Sequence, residues 1–140
     1  MRLVLDTNAA ISALLWSGTP GRLIEAAQQR TVSLVSSAPL LAELRGVLSR
    51  DKFAGQLQAK GLTAEEIADG YAALVTIVVP AVIAPKIAKD AADDMVVATA
   101  LAAGADLIVS GDAHVLDLKN YQGMPIVSAA EAVKRVEQRR

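Results

Sequence analysis

An uninterrupted apolar run that stops on an acid, Leu3-Val4-Leu5-Asp6, constrains this chain more than any other stretch. A strand with one wet face alternates apolar and polar side chains. A run without alternation suits a strand covered on both faces, as in a parallel sheet held between helix layers. The run therefore reads as a central strand, and Asn8 is placed to cap a following helix with apolar positions Ile11, Ala13, Leu14 and Leu15. A carboxylate then stands where a buried strand ends. Ligands of open α/β sheets bind beyond the carboxyl ends of the strands, which makes Asp6 the first candidate functional residue.

Helical and strand patterns alternate from there on. Thr19 and Pro20 open a helix carrying Leu23, Ile24, Ala26 and Ala27, and residues 32–35 make a second strand. Ser37 caps a helix with Pro39 in its first turn and Leu40, Leu41, Leu44, Val47 and Leu48 as its apolar stripe. Residues 49–61 suit a helix with a polar face. Thr63-Ala-Glu-Glu66 is a capping box that opens another, running to about residue 75. Residues 76–80 are β-branched enough for a third strand. A strong helix spans 90–103 and ends at Gly104; 106–110 and 125–127 are the fourth and fifth strands, and a helix over 129–140 closes the chain. Such alternation predicts one α/β domain over 1–140, a parallel sheet with helices on both faces.

Composition narrows the chemistry. The 140 residues are enough for a core without disulfides, and with no cysteine and one histidine a zinc site of nitrogen and sulfur ligands is excluded. Any metal must be held by oxygen. A carboxylate at position 6 breaks any signal-peptide core, and the longest apolar stretch, 71–85, is too short for a bilayer and is cut by Pro80. A cytoplasmic protein without a membrane span is expected. The net charge of −1 gives no global field for a polyanion, so such a partner needs a local basic patch or metal ions.

The informative acids are those standing where apolar residues are expected. Glu43 lies three residues after Leu40 and four before Val47, at the edge of its helix's apolar stripe. Asp93 lies three, four and seven residues before Val96, Val97 and Ala100, on the face that should be buried. An isolated ionised carboxylate there costs on the order of several kcal/mol, so it needs a cation or a polar cleft. Asp112 follows the fourth strand across Gly111 as Asp6 follows the first. Carboxylates gathered this way repel unless divalent cations neutralise them. All-oxygen ligands suit Mg²⁺ or Mn²⁺, which also bind phosphate oxygens and lower the pKa of a bound water for in-line attack on a phosphodiester.

Taken together, the strand ending in Asp6-Thr-Asn8, the Leu40-Leu-Ala-Glu-Leu44 helix, Asp90-Ala-Ala-Asp-Asp94 before an alanine-rich helix, and Leu107-Ile-Val-Ser-Gly-Asp112 resemble PIN-domain ribonucleases, in order and over nearly the whole chain. The resemblance implies a three-layer α/β/α fold with a parallel sheet of about five strands. It also implies metal-dependent hydrolysis of RNA at Asp6, Glu43, Asp93 and Asp112, with Asn8 and Ser110 as polar supports; Asp94, beside Asp93, reads as a supporting acid at the rim of the site. Bacterial members are commonly VapC-type toxins, so the expected partners are RNA, a cognate antitoxin and, given 53% apolar residues, a second copy of the chain. Ser110 stands where threonine is common in the family, and Ala91 and Ala92 replace residues that are often proline and polar.

Plainer readings stand beside these. Asp6 also suits a helix cap, Glu43 a partly solvated helix position, Asp93 a cap shared with Asp90, and Asp112 a loop acid before residues 113–116. His114 reads as a loop histidine rather than a general base. Arg45, Arg50 and Lys52, near Glu43 in sequence, are candidates for RNA phosphates or simply a solvated face. One Trp, one Phe and two Tyr offer little stacking platform, and Trp16 reads as a core or dimer-interface residue. Two other classes share part of this pattern. A haloacid-dehalogenase-like phosphatase wants a second Asp where Asn8 stands. A non-catalytic PIN-like RNA- or protein-binding domain would lack one of the acids.

Overall fold

A computed structural model of the chain describes residues 1–16, 18–82, 91–116 and 119–139, with 91–93 and 113–114 described in backbone only. Its strands are β1 (Arg2–Leu5), β2 (Ser33–Ser36), β3 (Thr76–Ile77), β4 (Leu107–Val109), β5 (Asn120–Tyr121) and β6 (Met124–Val127). They form one sheet in the order β3-β2-β1-β4-β6-β5, and every pairing is parallel except that of β5 with β6. The opening apolar run is thus central: Leu3 lies beside Leu34 and Leu107, and Val4 beside Val35 and Ile108.

Successive side chains of a strand face opposite ways, and the packing follows that rule. Leu3, Leu5, Leu34, Leu107 and Val109 belong to one core; Val4, Val35, Ile108 and Ile126 belong to another on the opposite face. The first core is covered by α1 (Thr7–Leu15), α2 (Gly21–Gln28), α5 (Ala64–Leu74) and α8 (Ala129–Gln138); the second by α6 (Ala91–Ala103) and α7 (Ala113–Leu116). α3 (Ala38–Leu48) serves both, sending Leu41, Leu44 and Leu48 into the first and Leu40 into the second. Each fully buried aliphatic side chain contributes roughly 1.5–3 kcal/mol. The layers are the α/β/α sandwich that the alternation of patterns predicts.

Local chemistry explains most boundaries. The capping box forms as expected at α5: Thr63 Oγ1 accepts from Glu66 N–H (3.1 Å) and Glu66 Oε1 from Thr63 N–H (3.0 Å). Residues 49–61 form not one helix but a 3₁₀ turn, Asp51–Phe53, followed by α4 (Ala54–Lys60), which ends at Gly61 in the left-handed region (φ 67). α1 is capped by Asp6 rather than Asn8: Asp6 Oδ1 accepts from Ala9 N–H at 2.7 Å, and Asn8 sits exposed within the first turn. The third strand is shorter than its β-branched run. Val78 N–H still reaches Ser36 O (2.9 Å), but Pro80 has no donor and Ala81 N–H turns to Ala98 O (3.0 Å). β5 was not anticipated. A two-residue loop with Gln122 (φ 48) and Gly123 (φ 82) folds 120–125 into a hairpin, and glutamine is a weak signal for such a turn.

Candidate active site

Parallel strands deliver their carboxyl ends to one edge of the sheet. β1 ends at Leu5 and β4 at Val109, side by side in register, so the residues that follow them meet although they are 104 apart in sequence. Asp6 N–H bonds Val109 O (2.9 Å) and Ser110 N–H bonds Val127 O (3.0 Å), which continues the sheet's ladder past the strand ends. From there Ser110 Oγ, itself buried, donates to Asp6 Oδ2 and accepts from Asp112 N–H (3.0 Å). Gly111 N–H lies 3.4 and 3.3 Å from the two Asp6 oxygens. One serine hydroxyl therefore ties the Asp6 carboxylate to the loop that carries Asp112.

Asp6 is 4% exposed. Burial pushes its carboxyl above the ordinary carboxylate range; the bonds from Ser110, Ala9 and Gly111 pull it back, and the charge of Asp112 adds to the rise. The carboxylate is held in place yet short of positive charge. Its surroundings form a polar pocket of about 200 Å³, lined by Asp6, Asn8, Glu43 and Asp112 together with Arg50 and Lys52. Thr7, Val47 and Val96 complete the wall. Glu43 reaches it half-buried from α3, as the stripe-edge spacing predicts.

Six elements thus converge: the ends of β1 and β4, the first turn of α1, the middle of α3, the 3₁₀ turn through Lys52, and α6 through Val96. Asp93 lies on α6 three residues before Val96, but its side chain falls outside the described residues, as does that of His114; Asp90 lies outside them altogether. Asp94 is half-buried on α6 and is not part of the pocket wall. Arg45 departs from expectation. Its guanidinium is engaged by Asp69 Oδ1 (2.7 Å) and Glu65 Oε2 (3.0 Å) of α5, where it clamps two helices instead of facing the pocket. Trp16 is not a core residue: it is 44% exposed.

Two features had no sequence signal. Ser37 occupies the N-cap position of α3, yet its side chain makes no cap bond; its Oγ bonds Thr99 Oγ1 of α6 (2.8 Å), and Thr99 donates in turn to Met95 O (2.8 Å). This buried pair fixes the helix carrying Glu43 against the helix carrying Asp93. Tyr71 of α5 is buried with its hydroxyl unpartnered among the described residues, and burial first, then the charge of Asp6, holds its phenol protonated far above the ordinary range. Only an apolar position of α5 was visible there in the sequence.

The donors in the pocket are all oxygens, which suits hard divalent cations such as Mg²⁺ or Mn²⁺. A cation would offset the desolvation that raises Asp6. Among the described residues no group of three carboxylates or imidazoles forms a ready-made ion site, so Asp6, Glu43 and Asp112 make an open acidic cleft.

Comparison with known proteins agrees with this geometry. A family model described as PIN domain matches residues 2–114. A chain from the crystal structure of VapBC2 from Rickettsia felis bound to a DNA fragment from their promoter superimposes with a TM-score of 0.59 at 16% identity, over 90% of this chain and 97% of that one. No curated protein matches. With the matched span running from β1 into the first turn of α7, past every strand end that builds the acidic cleft, the chain belongs to the PIN-domain family.

Proposed function

We propose that this protein is a divalent-metal-dependent endoribonuclease, the toxin of a cytoplasmic toxin–antitoxin pair. The observation that carries the reading is the pocket itself: Asp6, Glu43 and Asp112 share one polar cleft with Arg50 and Lys52 at the carboxyl edge of the sheet. Acids for metal and bases for phosphate are what cleavage of a polyanion requires when the net charge is −1. The PIN match and the likeness to a VapBC2 chain support the family's nuclease and toxin–antitoxin reading.

Asp6, Glu43, Asp93 and Asp112 are the residues that would hold Mg²⁺ or Mn²⁺. When bound, such an ion neutralises the carboxylates, screens the phosphate and lowers the pKa of coordinated water. The chain's own part is positional. Ser110 and the N–H groups of Ala9 and Gly111 fix the Asp6 oxygens, and the Ser37–Thr99 bond fixes α3 against α6. Arg50 and Lys52 take non-bridging phosphate oxygens, which orients the strand across the cleft. Val47 and Val96 keep part of the wall dry, strengthening each charge interaction within it.

A cognate antitoxin and a second copy of the chain are the protein partners this reading implies. The edge beyond β3, where Ile77 is 56% and Val79 86% exposed, is the apolar surface such a partner would cover. Cleavage of a mixed single-stranded and structured RNA pool in Mg²⁺, Mn²⁺ or EDTA, beside identically prepared Asp112→Asn and Asp93→Asn, tests the reading. Metal-dependent cutting lost in both variants is expected. Wild-type cutting that survives both, or that persists in EDTA, overturns it.

A further inference from the structure

We infer that Trp16, backed by Phe53 and flanked by Lys52, is a stacking platform for an unpaired RNA base whose adjoining phosphates run past Lys52 and Arg50 into the acidic cleft. The inference deepens the nuclease reading and rests on it for the direction of the strand. A single exposed aromatic ring on a surface needs no explanation. This one is continuous with the cleft. Trp16 follows the last residue of α1, whose first turn begins beside Asp6, and its ring meets that of Phe53 edge-on, with centroids 6.0 Å apart and planes at 68°. Phe53 is buried, so the core sets the orientation of an indole that remains 44% exposed. Lys52 joins the two sites: its Nζ lies 5.1 Å from the Phe53 centroid, and the same residue lines the pocket with Asp6 and Glu43.

Single-stranded nucleic acid is held by two things, a cationic track for the backbone and aromatic faces for the bases. Both are present here, and Lys52, over the Phe53 ring and in the pocket lining, links them. Ten residues separate Asp6 from Trp16, roughly 15 Å at the helical rise, so the stacked base belongs to a nucleotide beyond the one cleaved. A base inside a duplex has no free face to offer, so the platform selects unpaired RNA. Arg45, spent on Asp69 and Glu65, takes no part.

Trp16 is the chain's one tryptophan, and its emission therefore reports on this site alone. The test titrates the full-length protein in EDTA with short mixed-sequence oligoribonucleotides, single-stranded or annealed to their complements, and with inorganic phosphate. Quenching by single strands, and not by duplex or phosphate, is expected. Trp16→Leu keeps an apolar contact to Phe53 but has no stacking face; followed by the anisotropy of an end-labelled oligoribonucleotide, which needs no tryptophan, it should weaken single-strand binding on the order of 5- to 100-fold, while Trp16→Phe stays near wild type. Lys52→Ala should weaken binding to all sequences alike and lower the salt slope by about 1. A wild type that cleaves RNA without quenching, with Trp16→Leu binding equally well, overturns the platform and leaves the nuclease standing. Trp16-dependent binding without cleavage in any metal supports the platform and removes the nuclease. A change in oligomeric state, with RNA affinity unaltered in Trp16→Leu, overturns it in favour of a protein contact.

Discussion

Replacing Ser110 by alanine removes one oxygen from the centre of the site. That oxygen is buried, donates to Asp6 Oδ2 and receives Asp112 N–H, so its loss strips a bond from a carboxylate and leaves a backbone donor without this acceptor. Hydrogen bonds to charged groups are worth about 1.5–3 kcal/mol net, and neutral ones about 1. The larger figure applies while Asp6 is ionised. Its folded pKa is already raised by burial, and the Ser110 bond is what opposes the rise most, so Ser110→Ala lifts it further. A carboxyl raised in the folded state loses stability as pH climbs through its folded pKa. The variant should therefore trail wild type by about 1 kcal/mol while Asp6 is protonated, the cost of the neutral bond from Asp112 N–H, and by about 1.5–3 kcal/mol more once Asp6 is ionised in both. Urea unfolding in EDTA, followed by far-UV circular dichroism, reads this directly. At a slope of about 2 kcal/mol per molar, a 2 kcal/mol loss moves the midpoint down by about 1 M. Ser110→Thr keeps the hydroxyl and should restore most of it. Equal midpoints at high pH, or a difference that does not grow with pH, would refute the coupling of Asp6 to Asp112 through this hydroxyl.

Asp6→Asn should abolish cleavage yet raise the metal-free unfolding midpoint above the carboxylate range, because the amide can still cap α1 and no buried charge remains; a drop in stability there would contradict the reading of Asp6. Mg²⁺ at about 100 times its dissociation constant should stabilise the wild type by about 2.7 kcal/mol and Asp112→Asn by far less, measured as thermal shifts against EDTA. Thr99→Val removes the acceptor of Ser37 and should cost about 1–2 kcal/mol, with a larger fall in cleavage than a distant core substitution of equal cost. Arg50→Ala should weaken RNA binding and reduce its salt slope by about 1, whereas Arg45→Ala should leave both unchanged; equal effects would undo the distinction drawn between them.

Much of this is legible in the sequence. Unalternating Leu3-Val4-Leu5 can satisfy its side chains only between two layers, so it declared a central parallel strand. Thr63 and Glu66 declared a helix start because a capping box closes within one turn. Asp6, Glu43 and Asp112 stood out as acids at strand ends or on an apolar stripe, and all three line the cleft. These signals are local: each depends on residues within a turn or a strand of one another. The hairpin at β5 escaped because Gln122-Gly123 reaches its backbone shape without the usual turn residues.

Contacts between distant segments were decided by the fold alone. No spacing rule tells Arg45, which pairs with Asp69, from Arg50, which faces the cleft, because the choice depends on how α5 packs against α3. The same holds for Ser37 with Thr99 across the two helices, and for Trp16 leaning on Phe53 beside Lys52. By itself the sequence determined the layers, the strand order's central member and the acids worth watching, since hydrophobic period and capping act over a few residues. Only the register of β1 with β4, which brings Asp6 onto the hydroxyl of a serine 104 positions away, and the packing that carries α3 to the same edge decided that those acids share a site.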